Sequence, residues 1–328
     1  MNMKTNTHRR GLHRIVAFLL CAVCVFSLLP AQAFAAGVGQ KASSWLGDQY
    51  VGSDGQHYYS PVPTNFLAYN SDGTTDKRSG SGGSAYRHYM LTDSDGVTHS
   101  VYCVESGIPY NTSENTYTSE NGTNSDYLNM LPSAARRGIT LTAIYGWKPG
   151  ASLPVSGINE DDYKMATQII LWEYQQQLRS DPYSRHSNGH ASADQYYSVV
   201  AGRPAEKAYN WILEQVASHS SVPSFTAANK GDAPVLELKW DTSRKVYTLT
   251  VTDTNNLNID LQMLSGSGVT VSRNGNQYTF TSKNMIENPV TFTFRKNVKI
   301  ADQMLIWGRP GYQTMMTGAS DPVTFSVK

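Results

Sequence analysis

Cysteine is nearly missing from this chain. There are three in 328 residues, and two of them, Cys21 and Cys24, lie in one apolar run near the N-terminus. Cys103 is left without a cysteine partner, which excludes a disulfide scaffold and a cysteine-based zinc site. The eight histidines are scattered; His186 and His190 have helical spacing but fall in the loop-like "RHSNGHAS", so no metal or other cofactor is expected. Beyond the N-terminal run, no apolar segment approaches the roughly 20 residues that a spanning helix needs. An excess of one charge is also lacking. The leader holds four of the 27 basic side chains and none of the 26 acidic ones, leaving 23 against 26 and a net charge near −3. That balance gives no electrostatic footprint for nucleic acid. No internal repeat is evident.

What is present begins with "HRRGLHR" followed by "IVAFLLCAVCVFSLLPAQAFAA". A basic start, a short apolar run and a small-x-small end at residues 33–35 read as a cleaved secretory signal over residues 1–35. The roughly 290 residues after it are too many for one ordinary core and suit two domains. Twenty tyrosines fit an extracellular, β-rich protein.

The expected organisation is α+β. Residues 36–226 form a first domain of strands plus a helical subdomain, and 227–328 form an antiparallel β-sandwich. In the first domain, residues 37–77 are weakly patterned and turn-rich, and "RSGSGGS" at 78–84 reads as a flexible loop. "YRHYMLTDSDGVTHSVYCVE" alternates on either side of Asp93-Ser94-Asp95-Gly96, a hairpin with Cys103 at the end of its second strand. A calcium loop is excluded there, because its twelfth position is Val104 and not a bidentate glutamate. "NTSENTYTSENGTNSDY" reads as a polar loop. Helices follow at "PSAARRGITLTAIYGW" from Pro132, at "NEDDYKMATQIILWEYQQQLR" capped by Asn159, and at "PAEKAYNWILEQVAS" from Pro204. After residue 227, "VLELKWD", "KVYTLTVTD", "NIDLQML", "VTVSRNGNQYTFTS", "PVTFTFRK" and "PVTFSVK" alternate with period two, with a strong hairpin turn at Asn274-Gly275.

Two oddities in the first domain can explain each other. Cys103 is an unpaired cysteine in an exported chain. On the second helix, Met165, Ile169, Trp172 and Gln176 share an apolar stripe, and Gln168 lies on its shoulder. An ordinary reading makes Gln168 a satisfied core amide. The alternative is that the Cys103 thiolate attacks the Gln168 carboxamide, expels ammonia and leaves an internal thioester. That reaction needs the two groups close, oriented and shielded from water, with aromatic neighbours such as Tyr102 and Trp172 as the shield.

Three segments, "YCVES" at 102–106, "GITLTAIYGW" at 138–147 and "ATQIILWEY" at 166–174, resemble the signature segments of Gram-positive thioester domains, and the resemblance spans roughly residues 40–225. It implies that Cys103 and Gln168 are the bonded pair and that Trp172 packs over it. Tyr102, Tyr145 and Glu105 complete the candidate pocket. The middle segment departs from the usual Gly-Tyr-Pro ending, with Gly146-Trp147-Lys148 in its place. The implied protein is a cell-surface adhesin that captures lysine amines of a host or extracellular-matrix protein, each thioester serving once and without turnover; Glu105 and His99 are the nearest candidate bases. The second domain resembles, through "VTDTN" and "GYQTMM", the sandwich that often trails such domains.

Two other readings compete. One is an extracellular cysteine hydrolase using His99, His186 or His190. The other is a non-covalent protein- or carbohydrate-binding module with an inert buried cysteine. In the second domain, an isopeptide bond would need Lys239 and Asp321; an ordinary surface lysine is the favoured reading.

Overall fold

The computed structural model describes residues 37–59, 65–70, 74–79, 85–108, 110, 112–298, 300 and 302–328. The expected signal at 1–35 and residues 80–84 of the glycine-rich loop lie outside them.

The first part of the chain builds six strands. These are β1 (Lys41–Gln49), β2 (Asn65–Tyr69), β3 (Thr75–Ser79), β4 (Arg87–Asp93), β5 (Thr98–Cys103) and β6 (Ser113–Asn121). The β4–β5 hairpin forms where expected. Its turn has Gly96 at φ +79°, in the left-handed region that favours glycine. The Asp93 carboxylate accepts the N–H groups of Asp95 and Val97 and contacts His99 Nε2 at 2.7 Å, so its oxygens are occupied within the turn.

Five helices follow: α1 (Asp126–Met130), α2 (Ser133–Tyr145), α3 (Glu160–Gln175), α4 (Ala193–Tyr197) and α5 (Ala205–Ser220). Asn159 caps α3 in a reciprocal capping box with Asp162, as its sequence suggests. The expected amphipathic stripe is not what α3 presents. Every residue from 162 to 175 is buried, because α2, α5 and the sheet enclose the helix on all sides. Gly138 permits the close approach of α2, since a Cβ there would sit 2.1 Å from the Tyr174 ring. Gln168 is therefore interior, not marginal.

The remaining strands are β7 (Lys239–Asp241), β8 (Val246–Thr252), β9 (Leu261–Ser265), β10 (Thr270–Asn274), β11 (Gln277–Ser282), β12 (Phe292–Lys296), β13 (Leu305–Gly308), β14 (Met315–Thr317) and β15 (Phe325–Val327). Seven of them form two antiparallel sheets, β10-β11-β8-β7 and β15-β12-β9. Phe280 and Phe294 meet between these sheets with ring centroids 6.5 Å apart. The fold is thus α+β with a β-rich second part.

Two features depart from the sequence reading. The segment at 113–121, expected as a polar loop, is strand β6, paired with β1 and β13. Its inward positions are Tyr117 and Ser119, both buried, while Thr116, Thr118 and Glu120 on the alternate face are partly exposed. Alternation is there, but with polar residues on both faces it does not register as hydrophobic periodicity. The second departure is that β13 and β14 leave the sandwich and complete a closed barrel of order β1-β4-β5-β14-β13-β6. "LIWG" and "MMT" are short and lack alternation because three consecutive residues of β13 are buried, as suits a strand covered on both faces.

Candidate functional site

Cys103 is the last residue of β5 and is fully buried. The β4–β5 ladder ends at the pair Tyr89–Val101, two residues before it. On that side a helix side chain replaces the missing strand. The backbone N–H of Cys103 donates to Gln168 Oε1 at 3.0 Å, and Gln168 Nε2 donates to the Cys103 carbonyl at 2.7 Å. On its other side Cys103 pairs with Met315 of β14. The structure therefore brings together the two residues singled out from the sequence, which are 65 positions apart.

The thiol belongs to the buried face that β5 shares with Leu91 and Val101. The backbone N–H of Glu105 lies 3.4 Å from Sγ. Burial pushes the Cys103 thiol up to about 12, against smaller opposing effects of the Trp172 indole and the Glu105 N–H. The indole N–H of Trp172 is buried with no partner in good hydrogen-bonding geometry, yet it is near enough to favour the ionised sulfur. Trp172 meets Tyr86 and Tyr196 edge-on, with centroids 5.7 and 6.0 Å apart. Tyr86, Tyr89, Tyr117, Tyr127 and Tyr196 all lie close enough to interact electrostatically with Cys103. This tyrosine shell was not identified from the sequence; its only trace there is the tyrosine count.

Glu105 belongs to the same neighbourhood. Its carboxylate accepts both the N–H and the hydroxyl of Thr314, at 3.0 and 2.9 Å. Burial raises its pKa above the usual carboxylate range, and Thr314 opposes that rise. Val104 N–H donates to the Thr314 carbonyl at 3.0 Å, and Tyr127 OH donates to the Val104 carbonyl. One wall of the site thus comes from a segment about two hundred residues downstream (|i−j| = 209 for Glu105 and Thr314).

Other expected residues are placed elsewhere. Tyr102 points to the opposite face of β5, where its OH donates to the Trp147 carbonyl at 2.8 Å. Strand alternation forbids it and Cys103 from sharing a face. Tyr145 ends α2 and bonds His219 Nδ1 at 2.7 Å, with His219 Nε2 3.0 Å from Asp321 Oδ1. It is not part of the Cys103 surroundings. His99 is tied to Asp93, and four steps along the strand carry it roughly 13 Å from Cys103. A cysteine hydrolase needs a thiol made more acidic by a neighbouring base; here burial acts in the other direction. In the sandwich, Lys239 is exposed whereas Asp321 is buried against His219, so the two do not meet.

Thr167, the neighbour of Gln168, fixes the departing end of α2. Its hydroxyl accepts the Trp147 N–H at 3.0 Å, and a Cβ at Gly146 would lie 2.3 Å from its methyl group. Gly146-Trp147 is therefore matched to α3 by close packing.

No curated protein sequence matches the chain. Among solved structures, the chain is similar to the thioester domain of the Staphylococcus aureus TIE protein, with 16% identity over 85% of this chain and 92% of that one, at a TM-score of 0.46. The family model of the thioester domain matches residues 100–218. That span takes in Cys103, Gln168, Trp172, α1 to α4 and most of α5, and it makes this chain a thioester-domain-containing protein.

Proposed function

We propose that Cys103 and Gln168 form an internal thioester, and that the protein is a secreted, surface-associated adhesin that uses it to capture a lysine amine of a host or extracellular-matrix protein. The observation that carries the reading is the two-point pairing of the Gln168 carboxamide with the backbone of Cys103. It presents the amide carbon beside the cysteine and aims a backbone N–H at the oxygen on which charge develops. Attack of Sγ on the amide carbon forms the C–S bond, the C–N bond breaks, and the thiol proton leaves with the amine as ammonia. Glu105, whose charge acts on Cys103, is assigned the relay of that proton. The tyrosine shell and Trp172 exclude water from the product.

The bond is used once. An incoming amine attacks the Gln168 carbonyl, releases Cys103 as a thiol and leaves a stable amide. The thioester unit in this reading is residues 36–226 together with strands β13 and β14, and the rest of 227–328 forms the sandwich. Export follows from the leader read at 1–35; no helix among the described residues is long and apolar enough to cross a membrane. The test is intact mass. Freshly purified protein kept free of amines is expected one ammonia below its sequence mass, and Cys103→Ala and Gln168→Ala at the full mass. A wild-type protein with no deficit removes the thioester. A deficit with no detergent- and reductant-resistant conjugate on any matrix protein removes only the adhesin role.

A further inference from the structure

One turn of α3 before Gln168, Lys164 is buried to 1% exposure, and among the described residues no carboxylate forms an ion pair with it. Its Nζ donates to Ser100 Oγ and lies 3.4 Å from His88 Nδ1. It stands over three rings, with Nζ 4.8 Å from the centroid of Trp147, 5.6 Å from Tyr50 and 5.8 Å from Tyr102. Asp161, the acid whose charge acts on Lys164, is engaged by His88 Nε2 at 2.9 Å. A buried ammonium without a counter-ion is costly, and burial lowers the Lys164 pKa to about 7, with Asp161 opposing. A substantial share of this amine therefore carries a free lone pair at neutral pH.

Lys164 and Gln168 are four residues apart, on one helix face, where Cβ atoms are about 6 Å apart. Both reach the same strand: Gln168 the backbone of Cys103, Lys164 the side chain of Ser100. We propose that Lys164 is an internal acyl acceptor, held off the Gln168 acyl group by the Ser100–Trp147–Tyr50–Tyr102 cage. Opening the cage lets Nζ attack the Gln168 carbonyl, giving a Lys164–Gln168 amide within one helical turn. This inference rests on the thioester reading. The N–C bond forms, the C–S bond breaks and the amine proton passes to sulfur, so Cys103 returns as a thiol and no oxidant or reductant is involved. The ammonia has already left, so the amide has the mass of the thioester. The closed cage keeps Nζ on the outer face of β5, opposite the buried face of Cys103. The lifetime of an unused thioester is then set by how often the cage opens.

The experiment uses the full secreted chain as wild type, Trp147→Ala and Ser100→Ala, each with and without Lys164→Met. Methylamine incorporation at Gln168 in fresh wild type tests the thioester by itself; its absence ends both readings. With the thioester established, the cage variants are expected to lose incorporation several-fold during storage while keeping the ammonia deficit. Cys103 becomes titratable after denaturation, and trypsin no longer cuts after Lys164. Lys164→Met restores incorporation in the same background. Ser100→Ala removes one hydroxyl and gives the same readout if Trp147→Ala does not fold. The proposal is overturned if the variants retain full incorporation, or if they lose it by gaining water at Gln168 with cleavage after Lys164 intact.

Discussion

Gln168 pairs with Cys103 as a neighbouring strand would, accepting its N–H at 3.0 Å and donating to its carbonyl at 2.7 Å. Eight residues on, just past the end of the same helix, Gln176 does the same to Leu67, at 2.7 and 2.9 Å. The two clamps are alike in hydrogen bonding and differ in chemistry, because only one faces a residue with a nucleophilic side chain. Gln176→Ala is expected to keep the ammonia deficit, and Gln168→Ala to abolish it. Each leaves a buried backbone N–H and carbonyl without a partner, costing roughly 1–3 kcal/mol per group. Intact mass and denaturant unfolding of the two variants separate clamping from chemistry; equal mass behaviour would make Gln168 a structural amide.

In the proposed thioester, the aromatic shell is expected to slow attack by water. Trp172→Ala removes the indole between Tyr86 and Tyr196 and is expected to cost roughly 3–5 kcal/mol of stability, as large core truncations do. In the folded variant, hydrolysis of the bond should run faster than in wild type, whereas Trp172→Phe should fall between. Mass spectra of samples taken over time in amine-free buffer, with folding checked by circular dichroism, read this directly. An unchanged rate in folded Trp172→Ala would reduce Trp172 to packing.

Completion of the site should wait for the end of the chain. β14 pairs with Cys103, and Thr314 holds both Glu105 and Val104. A fragment covering residues 36–226 is therefore expected to lack the ammonia deficit. Thr314→Val in the full chain removes the hydroxyl bond to the Glu105 carboxylate and keeps the one from the backbone N–H; it should slow bond formation, seen as a longer approach to the reduced mass after refolding. A fragment that forms the bond as fast as the whole chain would show that β13 and β14 only cover a site already complete.

Lys164 makes stability depend on pH in a definite direction. Its folded pKa, near 7, lies below the unfolded lysine value of about 10.4. Between those values the unfolded chain binds the extra proton, so this residue makes the fold more stable as pH rises, by up to roughly 1.4 kcal/mol per pH unit. Glu173 has the opposite sign in a lower window. Burial raises it to about 7, so its contribution is lost as pH rises from the ordinary carboxylate range to neutrality. Urea unfolding from about pH 7.5 to 9.5 reads this rise, to which Lys296, lowered by burial to about 8, adds with the same sign; Lys164→Met should remove the Lys164 share and leave a smaller slope. A parallel slope in wild type and variant would place the charge on Lys164 in the folded state.

Much of the candidate site can be read along the chain because its parts are local. The β4–β5 hairpin follows from a turn sequence between alternating segments, and α3 from Asn159 and a helical run. An unpaired cysteine and a glutamine beside apolar residues are visible one residue at a time. What a strand neighbour does to that cysteine is not local. Only packing decides that β4 parts from β5 before Cys103 and that Gln168 fills the gap, and only packing assigns Tyr102 to the other face and Tyr145 to His219. β6 escapes periodicity because both its faces carry polar residues, and β13 because neither face is solvated. The barrel around Cys103 closes with strands from beyond residue 300, since backbone groups left open at β5 and β6 need partners wherever the chain can bring them. The sequence by itself singled out Cys103 and Gln168 and the local elements that carry them. The tertiary structure determined their contact, the tyrosine shell and the caged lysine, which depend on burial, and burial is a property of the whole fold.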